Sequence, residues 1–141
     1  MKLDEIDFKI LEFLTKDART PYTEIGNALR ISDSTVHIHV KKMVDEGVIN
    51  RFTINVNDEV LGRVSCLLML NVVPGHFEQL VQSLIKNERI DEIYEVHGSH
   101  VAILRISCNS LKEIRDEIVT VRKMQNVTDT EINTILKIWK T

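Results

Sequence analysis

Residues 32–49 read SDSTVHIHVKKMVDEGVI and give the clearest structural signal in the chain. Ser32 is a good N-cap residue, and Asp33 follows it in the first turn, where the helix dipole favours a negative charge. Gly47 can take the left-handed conformation that ends a helix. Between these residues an aliphatic stripe recurs at helical spacing. The stretch therefore predicts a helix from Ser32 to Gly47 with an inner face of Val36, Val40, Met43 and Val44.

Two shorter helices are predicted before this segment. The first is amphipathic and runs roughly from residue 4 to residue 16. Thr20 and Pro21 predict the start of the second, because threonine caps helices and proline is tolerated in the first turn. This helix should end near Arg30, and Ala28 is small enough to allow a close approach. The inner residues of the two helices are Leu3, Ile6, Ile10, Phe13 and Leu14, then Ile25 and Leu29.

A ribbon is predicted after the third helix. From Val48 to Val56, apolar and polar residues alternate as they do in a half-buried strand. Three helices followed by a ribbon describe a winged helix-turn-helix domain, which we place at residues 1–52. Residues 53–63 are predicted to form a linker strand, because polar residues and Gly62 interrupt the apolar pattern there.

The outward face of the third helix is mostly polar. An α-helix fits the major groove of DNA, so a reading helix must anchor one face and expose the other. Hydroxyl groups can bond to bases or phosphates, lysines can neutralise phosphates, and Ile38 can meet a thymine methyl group. Arg51 in the ribbon can reach the DNA backbone. The candidate DNA-binding residues are Ser32, Ser34, Thr35, His37, Ile38, His39, Lys41, Lys42 and Arg51.

The overall charge does not indicate a nucleic-acid partner. The formal net charge is -3, and residues 1–62 contain eight basic and eleven acidic side chains. Residues 30–51 contain four basic and three acidic ones, so positive potential is only local. DNA affinity should therefore be weak for a single domain, salt-dependent, and raised by linking two or more domains. An alternative interpretation is that the polar face is the solvated side of a structural three-helix unit.

The second half of the chain follows a β-α-β-β-α-β plan. This order is typical of a ferredoxin-like antiparallel sheet with both helices on one face, which makes the whole chain α+β. An apolar strand exposed on the other face would be adhesive, so we expect a homodimer or a higher oligomer. Gly98 and Ser99 suit a tight two-residue turn between the middle strands. The predicted strands are 64–73, 90–96, 101–107 and 126–139, and the predicted helices are 77–85 and one starting at Ser110.

Several other classes of protein are excluded or disfavoured. The chain has 141 residues, of which 43% are hydrophobic and 28% charged, as in an ordinary globular protein. It has no stretch of about 20 apolar residues and no secretory signal, so we expect a cytoplasmic protein without membrane contact. Cys66 and Cys108 lack metal or redox spacing and are predicted to be buried thiols. His37 and His39 lack ligand spacing on a helix, and no cysteine or carboxylate cluster accompanies His97 and His100. No phosphate loop or nucleophile motif is present, so no metal, cofactor or enzymatic activity is predicted.

The sequence resembles the Lrp/AsnC, or feast/famine, transcription regulators of archaea and bacteria. The most specific segments are LDEIDFKIL at residues 3–11, DAR at 17–19, IS-x-S-T-V at 31–36 and EGVI at 46–49. The resemblance covers essentially the whole chain. It implies a homodimer joined through the C-terminal sheets, often assembled into tetramers or octamers, that binds double-stranded DNA with paired N-terminal domains.

The resemblance also implies a small effector, commonly an amino acid, bound between C-terminal modules at residues 64–141. It places this site at the turn formed here by Gly98, Ser99, His100 and Val101. Family members that bind amino acids usually carry acidic residues where this chain has Ser99 and Val101, so an amino-acid ammonium group would lack its carboxylate partner. The predicted function is sequence-specific regulation of transcription. Two alternatives are an architectural chromatin protein with little sequence preference and a small enzyme or metabolite sensor.

Overall fold

The computed structural model describes residues 2–140. The chain divides into two compact units after Ile54, two residues beyond the predicted end of the first domain. Among the described residues, no helix combines the length and the apolar character needed to cross a membrane.

The N-terminal unit consists of the helices α1 (Glu5–Lys16), α2 (Tyr22–Leu29) and α3 (Asp33–Asp45). Asp4 caps α1 in a reciprocal capping box with Asp7, and Ser32 caps α3 as predicted. The N-cap of α2 is Pro21, without a side-chain cap. The prediction of Thr20 as this cap is therefore wrong, because its hydroxyl donates to the carbonyl of Asp17.

The core of this unit is aliphatic, and α3 contributes one side chain fewer to it than predicted. Val44 is 41% exposed, so only three predicted residues of α3 face inward. The close approach between α2 and the next segment occurs at buried Gly26 rather than at Ala28, which is exposed. The buried cluster comprises Ile10, Leu14, Ile25, Val36, Val40 and Met43.

The ribbon predicted after α3 is not formed. Gly47 takes a positive φ of 71°, and the amides of Val48 and Ile49 both donate to the carbonyl of Met43. Within the described chain, no strand occurs between α3 and Val64, so the linker strand predicted at residues 53–63 is also wrong. An alternating pattern favours an extended backbone, but a strand also needs a neighbour for its ladder of hydrogen bonds.

The C-terminal unit confirms the ferredoxin-like α+β prediction. Its four strands form one sheet in the order β2-β3-β1-β4, with each neighbouring pair antiparallel. The last strand is shorter than predicted: it ends at Thr134, and the N–H of Ile135 makes one more bond to β1, at the carbonyl of Ser65. The elements are β1 (Val64–Val72), α4 (Phe77–Leu84), β2 (Ile90–Glu95), β3 (Ala102–Cys108), α5 (Leu111–Arg122) and β4 (Val127–Thr134).

The two faces of this sheet differ in composition. Both helices pack on one face, where alternate residues of β1 such as Leu68 join Leu104 of β3 in a continuous apolar core. Cys66 and Cys108 belong to this core as free thiols, and burial raises the pKa of both. No helix of the described unit packs on the opposite face, which we call the open face. Its apolar side chains are Leu67, Met69, Tyr94 and Ile103.

Candidate nucleic-acid interface

Three hydroxyl groups meet at the N-terminus of α3. The Ser32 Oγ accepts a hydrogen bond of 3.0 Å from the backbone N–H of Thr35. The same oxygen lies 2.8 Å from Ser34 Oγ and 2.7 Å from Thr35 Oγ1. The N-terminus of a helix carries a partial positive charge, and hydroxyl groups there can bond to phosphate oxygens.

The outward face of α3 is open to solvent. Ile38 is 65% exposed, and Lys41 and Lys42 are exposed beside it. Neither lysine forms an ion pair with any side chain in the described part of the protein. Both ammonium groups are therefore available to an external anion. Ile38, which precedes the two lysines on α3, is available to the methyl group of a thymine base.

Two further predicted contact residues are also exposed. His37 is exposed, and its ring stands 5.7 Å from the ring of Tyr22 at the start of α2, at an interplanar angle of 56°. Arg51 is exposed on the irregular segment after α3, so it is not held on a wing strand as the sequence pattern predicted.

His39, which was predicted to contact the groove, does not lie on the outward face of α3. Its Nδ1 lies 2.7 Å from Oδ1 of Asp7 on α1, and only 17% of its side chain is exposed. Asp7 itself is fully buried. The helical spacing placed His39 at the flank of α3, but it carried no information about a carboxylate on another helix.

Each oxygen of the Asp7 carboxylate has a partner in the protein. One oxygen accepts from the backbone N–H of Asp4, and the other faces His39. Burial is the largest influence and raises the pKa of Asp7, but the Asp4 N–H, the His39 hydrogen bond and the charges of His39 and Lys42 together lower it below its usual value. The carboxylate is therefore ionised at neutral pH and requires a donor at His39 Nδ1.

The side chains of Asp4, Asp7 and His39 offer ligand atoms within 4.8 Å of one another. The sequence did not predict this grouping. Asp4 accepts from the backbone N–H of Asp7, and both Asp7 oxygens already face protein donors. A metal would have to displace these bonds and open the helix cap, so we interpret the group as an interhelical clamp and not as a metal site.

The predicted effector turn is larger than expected. The N–H of Val96 donates to the carbonyl of Val101, which leaves four residues between them instead of two. Gly98 does not take a positive φ, so the two-residue turn prediction is wrong. Gly98 and Ser99 are exposed, whereas His100 and Val101 are half-buried.

Two residues that sequence reasoning missed hold this turn. The Asn71 side chain of β1 donates to the carbonyl of Ser99 and accepts from the N–H of Val101. His100 Nε2 lies 3.9 Å from a carboxylate oxygen of Glu131 on β4. The turn is thus held by contacts to β1 and β4. A ligand that binds at the turn would therefore be linked to two neighbouring strands of the sheet.

A concave feature of the C-terminal unit lies at the start of β1. A cavity of about 600 Å³ opens between residues 55–59 and the tail at residues 135–140. Its wall includes Asp58, whose carboxylate accepts from Ser65 Oγ at 2.9 Å and faces Arg63 and Arg105. These partners tie the turn before β1 to the open face of the sheet.

Comparison with known proteins matches both halves of the chain. The winged helix-turn-helix DNA-binding model matches residues 3–50, and the Lrp/AsnC ligand-binding domain model matches residues 65–141. The chain belongs to the Lrp/AsnC family. This confirms the resemblance seen in the sequence, and it makes the protein a homologue of helix-turn-helix transcriptional regulators.

Lrp/AsnC relatives match over nearly the whole chain. The transcriptional regulator FL11 of Pyrococcus furiosus is 32% identical over 98% of this chain and 92% of its own. The transcriptional regulator LysM of Sulfurisphaera tokodaii is 32% identical over 97% of each chain. The solved structure of LrpC from B. subtilis superposes with a TM-score of 0.81 at 28% identity, covering 100% of this chain and 99% of that one.

Proposed function

We propose that this Lrp/AsnC protein acts as a homo-oligomer that places α3 of each subunit in successive major grooves of double-stranded DNA, about one helical turn apart. The observation that carries this proposal is the exposed outward face of α3, with its two unpaired lysines and exposed Ile38. No enzymatic step and no cofactor are part of the proposal, which places the protein in the cytoplasm on the nucleoid. The proposed contact residues are Ser32, Ser34, Thr35, His37, Ile38, Lys41, Lys42 and Arg51.

The open face of the C-terminal sheet supports the oligomer. Leu67, Met69 and Ile103 are only half-buried there, and Tyr94 is exposed. An apolar face of this kind is stabilised when a second copy covers it. Size-exclusion chromatography with light scattering tests the state, and a monomer at micromolar concentration would contradict it.

A double substitution tests the DNA interface. Lys41→Ala with Lys42→Ala should weaken binding about tenfold or more at low salt and reduce the slope of log affinity against log salt by about two. The measurement is fluorescence anisotropy with duplexes selected by the protein from random DNA. The matched control is Lys2→Ala with Lys16→Ala, which removes two exposed lysines of the same unit that, like Lys41 and Lys42, form no ion pair in the described part of the protein.

The outcome separates the candidate functions. Equal loss in both double variants would show that α3 has no special role. Equal affinity of the unaltered protein for selected and unrelated duplexes would favour an architectural chromatin protein. Binding that survives both double variants would favour a role for the C-terminal unit alone.

We also propose that a small effector contacts Gly98, Ser99, His100 and Val101. The ligand-binding family match and the anchoring of this turn on β1 and β4 support the proposal. Amide chemical shifts recorded with each of the twenty amino acids test it. An amino acid that perturbs amides elsewhere in the unit but leaves this turn unchanged would contradict the location.

A further inference from the structure

We propose that Asp7 and His39 are positioning residues that set the orientation of α3 for DNA, and that protonation of His39 tightens this hold. The inference rests on the proposed function of α3. It assigns His39 a role without DNA contact, and it makes DNA affinity dependent on pH through a side chain that faces the interior of the protein.

The geometry of the pair supports a positioning role. Asp7 and His39 are 32 residues apart in sequence, and their 2.7 Å contact joins α1 directly to α3. The remaining contacts of α3 in this core are made by Val36, Val40 and Met43. Apolar packing is non-directional, whereas a hydrogen bond weakens steeply with angle. The pair therefore adds a directional contact that resists rotation of α3 about its own axis.

The pair places a histidine ring against a buried carboxylate. Asp7 is fully buried, and the charged groups near it are Asp4 at the cap of α1, His39 and Lys42. On α2, the ring of Tyr22 stands beside His37 and not beside His39. Histidine is the side chain that changes charge between about pH 5 and pH 8. Protonation of His39 turns a neutral N–H donor into a cation beside a buried carboxylate, which strengthens the bond.

His37 provides a matched control two residues away. It is the same residue type on the same helix, but it is exposed, and it makes no hydrogen bond within the described chain. Its protonation can add a phosphate contact but leaves the attachment of α3 to α1 unchanged. Effects of the two histidines therefore separate when the attachment of α3 and DNA affinity are measured independently.

The experiment uses the full chain and two measurements. The reference protein carries His37→Gln, so that His39 is the remaining histidine on α3, and it is compared with versions that add His39→Gln, His39→Arg or Asp7→Asn. Amide hydrogen exchange of α3, corrected for the intrinsic effect of pH, reports its attachment, with peptides from β1 and β3 as internal controls. Anisotropy at about pH 6 and about pH 8, at constant ionic strength, reports affinity for a selected duplex.

The reference protein should bind DNA about fivefold more tightly at the lower pH, with slower exchange in α3, because charged hydrogen bonds are stronger than neutral ones. His39→Arg keeps a cation beside Asp7 at both pH values. Its DNA affinity and its amide exchange in α3 should therefore stay near the values that the reference protein shows at about pH 6. His39→Gln and Asp7→Asn should weaken affinity, speed exchange in α3 and remove most of the pH dependence.

Two results would overturn the inference. Unchanged exchange of α3 in His39→Gln, together with weaker binding, would show that His39 contacts DNA directly. If neither the amide exchange of α3 nor the DNA affinity changes in His39→Gln, the pair does not fix the orientation of α3. If the unaltered protein selects no DNA sequence, the proposed function fails, and the exchange measurements still decide whether the pair fixes α3.

Discussion

The two units of this protein bury their polar groups differently. The N-terminal unit places an ionised carboxylate inside a small aliphatic core and pairs it with His39 from another helix. The C-terminal unit has its own buried carboxylate, Glu117 of α5, which bonds to Asn87 and Arg89, and it places further polar bonds, such as those of Asp58, on the open face of the sheet. The sheet therefore has one face that helices cover and one that is suited to a partner.

The largest expected effect separates the two faces of the sheet. Leu68→Ala empties a fully buried site under the helices and should lower the free energy of unfolding by about 2–5 kcal/mol. Leu67→Ala removes the same atoms from the open face. It should lower the free energy of unfolding much less than Leu68→Ala does, and it should instead weaken self-association. Urea unfolding and light scattering measure the two effects. Equal unfolding losses would mean that the faces do not differ.

A smaller effect tests how tightly the N-terminal unit is closed. Alanine normally stabilises a helix by about 1 kcal/mol relative to glycine. At Gly26, however, a new Cβ would lie 2.8 Å from the backbone oxygen of Ile31, so Gly26→Ala should destabilise the unit by about 1–3 kcal/mol. Thermal unfolding measures the change, with Asn27→Ala on the exposed side of α2 as the control. A stabilised Gly26→Ala protein would contradict the close contact.

The smallest expected effect is the acid sensitivity of the N-terminal unit. Because folding lowers the pKa of Asp7, its ionised form contributes stability above the unfolded value of about 3.9. That contribution is lost as pH falls through the lower pKa of the folded state. Asp7→Asn should therefore flatten the decline in stability of α1–α3 below about pH 4, as followed by amide exchange. An equally steep decline in the variant would remove Asp7 as its cause.

Most of the fold could be predicted because it follows from local patterns. The stripe ending at Gly47 defined α3, and the alternation of apolar segments and turns gave the correct order of strands and helices in the second half. Each of these features depends on residues close together in the sequence. The most specific family segments are also local: LDEIDFKIL and IS-x-S-T-V span the starts of α1 and α3, and DAR and EGVI follow the ends of these helices.

The errors fall where the outcome depends on residues far apart in the sequence. The pattern from Val48 to Val56 predicts an extended chain, but it cannot supply the neighbouring strand that would complete a ribbon. The direction of His39 is decided by Asp7, 32 residues earlier. The shape of the effector turn depends on Asn71 of β1, which reaches across to it. A search for charged residues at inward positions of α1 could have identified Asp7.

The tail that follows β4 has a practical use. It contains the only tryptophan of the sequence, Trp139, which is 86% exposed with the Lys137 ammonium 4.4 Å from its ring centre. Indole emission shifts to shorter wavelength when water around the ring is replaced by protein or ligand. Fluorescence of the unlabelled protein should therefore report directly when a second subunit or a small molecule covers the adjoining cavity.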